Sequence, residues 1–186
     1  MKNPPQATPF YLQDAMVDEI KNLMKDLIFE TPSGEKSSLN VFCQNLPTPR
    51  RAQEDEMVED SYDEIESYGE EDSFFFPWCL VKIDSGGVKE PNGPQTTTLI
   101  VVFGIYDGTE NHTGYQKILT MFQRIIARFS ENPVLAKQFT QQGEINWAIQ
   151  DDDDGSASGI GTGPYQFGAM MMEFRMSGHR REDKFT

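Results

Sequence analysis

Two stretches, Phe74–Ile83 (FFFPWCLVKI) and Thr96–Tyr106 (TTTLIVVFGIY), constrain this chain more than anything else in it. Aromatic and β-branched residues at this density favour pleated, packed backbone over helix. Between them lie Asp84-Ser85-Gly86-Gly87 and Pro91-Asn92-Gly93-Pro94, both strong turn and loop signals. Together they predict a long hairpin with an extended tip. Pro77 cannot donate to a strand ladder, so it predicts an edge position or a bulge near the start of the first strand.

Two amphipathic helices flank the hairpin. Over Phe10–Phe29, Met16, Ile20, Leu23, Met24, Leu27 and Ile28 recur at helical spacing. Acids at Asp14, Asp18 and Glu19 precede Lys21 and Lys25, in the order that the helix dipole favours. Over Tyr115–Phe129, Ile118, Leu119, Phe122, Ile125, Ile126 and Phe129 make one apolar face, with Thr113 as N-cap and Pro133 as stop. Thr31-Pro32-Ser33-Gly34 ends the first helix, and Leu39, Val41 and Cys43 alternate as a strand. A short helical turn is expected around Leu135–Phe139. Strands are expected at Ile145–Ile149 and Tyr165–Met176.

The fold class that follows is α+β: a mostly antiparallel sheet packed by two main helices, in the order α-β-β-β-α-β-β. We read residues 1–186 as one domain with its core at about 10–48 and 74–176. Around that core lie a proline-rich arm (1–9), an acidic insertion (49–73) and a basic tail (177–186). Within the insertion, Glu54–Asp72 holds acids and no base. It carries −11 of the net charge of −14, which leaves −3 elsewhere. A run of this kind repels itself and lacks apolar residues to pack, so it reads as a solvated excursion, with Met57, Tyr62, Ile65 and Tyr68 available for ordering against a partner.

Charge and composition exclude several classes. Phosphate backbones are held by Lys and Arg, so a chain this acidic makes a poor non-specific nucleic-acid binder and a poor ligand for anionic membranes. No apolar run reaches the length of a membrane span, and MKNPPQATPF has no signal-peptide core. Cys43 and Cys79 fit no CxxC pattern and read as reduced, core-packed residues, with a single disulfide as the alternative.

No constellation for catalysis, metal or cofactor binding emerges. His112 and His179 have no Cys or His at ligand spacing and read as surface residues. Asp151-Asp152-Asp153-Asp154-Gly155 fails the calcium-loop pattern, with Gly fifth and Thr162 at the twelfth place. Gly159-Ile160-Gly161-Thr162-Gly163 precedes a strand, not a helix, and lacks the phosphate-loop spacing. Asp151–Gly163 therefore reads as an acidic loop.

Phe74-Phe75-Phe76-Pro77-Trp78 is the most unusual feature. It has two readings: a strand buried on both faces, or alternate rings docking on a neighbouring subunit. Met170-Met171-Met172 poses the same choice. The interface residues expected are Phe75 and Trp78, Arg180 and Arg181 of the basic tail, and Glu59, Asp60, Asp63 and Glu64 of the acidic run, tail meeting run between neighbours.

The succession FFFPWCLVKIDSGG, TTTLIVVFGIYDGT, GYQKILTMFQRIIARFSENPVL and YQFGAMMMEF resembles the tail terminator (tail completion) proteins of tailed bacteriophages. The resemblance covers about residues 74–176 and the N-terminal helix; the runs 54–72 and 151–163 depart from it. It implies a structural, non-enzymatic α+β subunit of the virion, assembled in the host cytoplasm. Such a subunit forms a ring, usually six-fold, on the head-proximal end of the tail. Its implied partners are further copies of itself, the tail tube protein and the head-tail connector, with the genome passing through the ring. Alternatives are a head-completion or neck protein of the same virion, or an acidic nucleic-acid mimic that inhibits a DNA-binding protein.

Overall fold

The computed structural model describes residues 7–47, 75–91, 93–109, 113–149 and 164–176. The N-terminal arm up to Gln6, the acidic run, His112, the loop 151–163 and the basic tail lie outside the described residues.

Helix α1 spans Pro9–Met24. Thr8 caps it, its Oγ1 accepting from the Tyr11 N–H at 3.1 Å, and Pro9 follows where its missing N–H costs nothing. Leu12, Met16, Val17, Ile20 and Met24 are buried along one side. The helix stops five residues before the sequence reading had it stop. Continuing would carry Phe29 round the helix; instead Phe29–Glu30 form a short strand, β1, with Phe29 in the core and Ile28 exposed. β1 pairs with β2 (Lys36–Ser37) across the turn at Thr31–Gly34, where Gly34 takes a φ of 81°.

β3 (Asn40–Cys43) runs parallel to β4 (Trp78–Val88), which turns back into β5 (Gln95–Tyr106). Asp84–Gly87 is strand, not loop: a bulge between Ile83 and Ser85 lets the ladder continue to Val88, and the reversal waits until Glu90–Gly93. Where β3 ends, Gln44 continues the ladder with its side chain. Its amide accepts from the Ile83 N–H at 3.0 Å and donates to the Ile83 carbonyl at 3.3 Å. Gln13 of α1 donates to Gln44 Oε1 and to the Val81 carbonyl, tying helix and strands together.

Helix α2 spans Gly114–Glu131, and Thr113 precedes it without a side-chain capping bond. The expected helical turn at Leu135–Phe139 is a tight hairpin between β6 (Val134–Leu135) and β7 (Phe139–Ile149). Ala136 and Lys137 take φ of 47° and 62°, and the Gln138 N–H donates to the Leu135 carbonyl at 3.1 Å. This geometry buries Leu135 and Phe139 side by side. β8 (Tyr165–Met176) then inserts between β5 and β7.

The main sheet thus runs β3-β4-β5-β8-β7-β6, antiparallel except for β3 with β4, and β1 joins through Glu30 opposite Tyr106. Two helices and a large antiparallel sheet make an α+β fold. Both helices lie on the same face, α1 over β3 and β4, α2 over β5, β7 and β8. Their face carries the core: Cys79 and Val81 from β4, Leu99, Val101, Phe103 and Ile105 from β5, and Met170, Met172, Phe174 and Met176 from β8. Cys79 is packed there as expected, but Cys43 is exposed, and both thiols are free.

Candidate docking surface

The strand period of two sends every second residue to the other side of the sheet, where no described helix lies. At one end of that face is an aromatic cluster. The Trp78 ring lies over Gly104, close enough that a Cβ there would sit 2.4 Å from it. Phe76 packs 5.9 Å from Trp78, 5.0 Å from Tyr165 and 6.0 Å from Phe167, centroid to centroid, and Tyr106 stands 5.5 Å from Tyr165. Phe76 and Trp78 are only 6% and 8% exposed. Trp78 was expected as a docking ring; most of its surface is taken up within its own subunit. Phe75, the other expected docking ring, is half-buried and meets Phe42 edge-on at 6.1 Å.

Beyond the cluster the register builds two cross-strand rows. Leu80, Val102, Ala169 and Ala148 lie abreast, with Phe42 opposite Leu80; Lys82, Ile100, Met171 and Asn146 form the next row. Leu80, Val102, Ile100 and Ala169 are half-buried, and Met171 is 43% exposed. Polar residues rim this patch: Thr98, Gln142, and Glu173, whose carboxylate accepts from the Gln142 amide. An apolar, open, polar-rimmed sheet face has the build of a protein-docking surface. Of Met170-Met171-Met172, the outer two are core and the middle one belongs to this patch.

Arg180, Arg181, Glu59, Asp60, Asp63 and Glu64 lie outside the described residues. The structure instead brings forward Phe42, Leu80, Ile100, Val102 and Met171. For Ile100 and Val102 the signal in the sequence was apolar residues at consecutive, not alternate, positions of Leu99–Phe103.

Other polar features are structural. Asp107, 1% exposed, joins β5 to α2: its Oδ1 accepts from the Thr109 hydroxyl at 2.9 Å and stands 3.8 Å from Lys117 Nζ, while Oδ2 has no hydrogen-bond partner among the described residues. Burial pushes the Cys79 thiol well up, and burial, then the Asp14 carboxylate beside it, raises that of Cys43. Among the described residues no group of three His, Cys, Asp or Glu could hold a metal ion, and no helix is long and apolar enough to cross a membrane. No protein-family model and no curated protein matches the chain.

Proposed function

We propose that this chain is a structural virion subunit that caps the head-proximal end of a phage tail tube as a ring. In that position it ends tube polymerisation and joins the tail to the head connector. The observation that carries this reading is the sheet face on which no described helix lies, whose apolar rows are offered to another subunit while the helices seal the opposite side. A subunit that matches a growing tube end, and offers a different surface beyond it, stops growth. Identical copies making head-to-tail contacts close into a ring. The order α-β-β-β-α-β-β, with 49–73 as an insertion and 177–186 as a basic tail, belongs to the same reading. So does the resemblance carried by residues 74–176.

Deleting the gene tests it. The expected outcome, seen by electron microscopy, is filled heads beside unjoined tails, many of them abnormally long. Tails of normal length joined to heads in the absence of this protein would overturn the proposal.

A further inference from the structure

A groove runs between α1 and the open side of β3. Among the described residues β3 pairs with β4 alone. The Asn40 and Gln44 N–H groups donate to Pro77 and Val81 carbonyls of the β4 side at 3.0 and 2.9 Å. By strand alternation Val41 therefore turns its own N–H and C=O the other way, into the groove. Met24, Leu39 and Val41 wall a space of about 470 Å³, and Lys21 and Lys25 stand at its rim. Neither lysine forms an ion pair among the described residues, and Asp26, next to Lys25, is already held by Arg124.

We propose that this groove takes an extended acidic peptide as an added strand, and that its occupant is the acidic run Glu54–Asp72 of a second copy of this chain. An open strand edge is a template for another strand, and a helix beside it supplies the side wall that peptide-binding domains use for strand addition. Charge selects the occupant. Lys21 and Lys25 line the groove along Ser38–Phe42. Asp14, 3.8 Å from the Cys43 thiol, stands at the far end of β3. Glu54-Asp55-Glu56-Met57-Val58 fits when laid parallel to β3, its acids meeting the lysines and Met57 and Val58 lying toward Asp14. The choice of a second copy rests on the ring reading, since a groove on one subunit filled by the next is the heterologous contact that closes a ring.

The test uses a chain lacking 54–72 and a fluorescent peptide of residues 54–72, titrated by anisotropy. Saturable binding is expected. It should weaken about tenfold or more in the Lys21→Glu/Lys25→Glu variant, and vanish when alternate amides of Glu54–Val58 are N-methylated, which leaves every charge in place. Both lysines are exposed, so the variant should melt like its parent. No binding, or binding indifferent to either change, overturns the groove assignment whatever becomes of the ring reading. A complementation then tests the source: full-length chain carrying Lys21→Glu/Lys25→Glu, mixed with the chain lacking 54–72, should associate through the one intact groove and the one intact run. If peptide binds but this pair stays apart on a sizing column, the second copy is not the source.

Discussion

A methyl group at Gly104 would stand 2.4 Å from two carbons of the Trp78 indole, so this position decides whether the aromatic cluster can form. Gly104→Ala should force the ring off its seat and cost about 1–3 kcal/mol, as overpacking does; urea denaturation measures it. Phe76→Ala removes a ring that three others touch and should cost about 3–5 kcal/mol, whereas Phe75→Ala, at a half-buried position, should cost less. Equal losses for the two phenylalanines would place Phe75 in the core. The cysteines give a second reading of burial. Cys79 has a thiol pKa pushed far up and no solvent access, so in the native protein a disulfide reagent should titrate one thiol, Cys43, with the second appearing only on denaturation. Cys43 itself should react slowly at neutral pH, because its raised pKa leaves less thiolate. Burial at this scale was partly legible. The alternation of Leu39, Val41 and Cys43 was plain, but not that Val41 would be buried while Cys43, at the strand's end beside Asp14, stays exposed. Whether Phe75 and Phe76 faced the same way depended on a strand that starts only at Trp78.

Between elements, arginines of α2 lock the two helices together. Arg124 donates to the Leu23 carbonyl and clasps the Asp26 carboxylate, with Nη2 to Oδ2 at 2.9 Å, and Arg128 bonds Glu19. The Arg124 hydrogen bonds hold the Asp26 carboxyl below its ordinary value. A carboxyl lowered in the folded state adds stability that is complete above its unfolded pKa and is lost as pH falls through the folded one. Asp26→Asn should therefore be less stable than wild type at neutral pH, by a small margin because the pair is exposed, and the difference should close in acid. Urea midpoints of both proteins across the acid range check this; a gap that persists in strong acid would deny the pair its role. The helices themselves were readable from apolar spacing, but their clasp was not, since Asp26 and Arg124 meet only after the chain has folded back. The hairpin tip was misread for a related reason. Gly86 and Gly87 signal a turn locally, yet the partner strand Thr96–Thr98 extends far enough to keep them paired. At Ala136 and Lys137, ordinary residues adopt left-handed backbone that no sequence rule assigns to them.

For the whole molecule, the asymmetry of the sheet matters most: one face sealed by helices, the other bearing apolar rows. Met171→Lys, at the centre of the open face, should leave the melting midpoint close to wild type and weaken self-association on a sizing column or docking to tails. A fully retained assembly would show that this face is not the docking surface. The sequence announced an apolar second face through the unbroken run Leu99–Phe103, but not its neighbours, because Phe42, Leu80 and Met171 come together only through strand register.

The placement of β8 also bears on how the chain is made. It pairs along its whole length with β5 and along most of it with β7, so it is the seam on which both halves of the sheet depend. As the polypeptide leaves the ribosome, β4 and β5 can zip at once, while β5's other margin and all of β7 beyond its short pairing with β6 wait without a mate until β8 has emerged. Over that interval the nascent chain shows two unpaired strand margins, and that of β5 is rich in Val and Ile. It is during synthesis, more than in the finished subunit, that this protein most needs to be kept from its own copies.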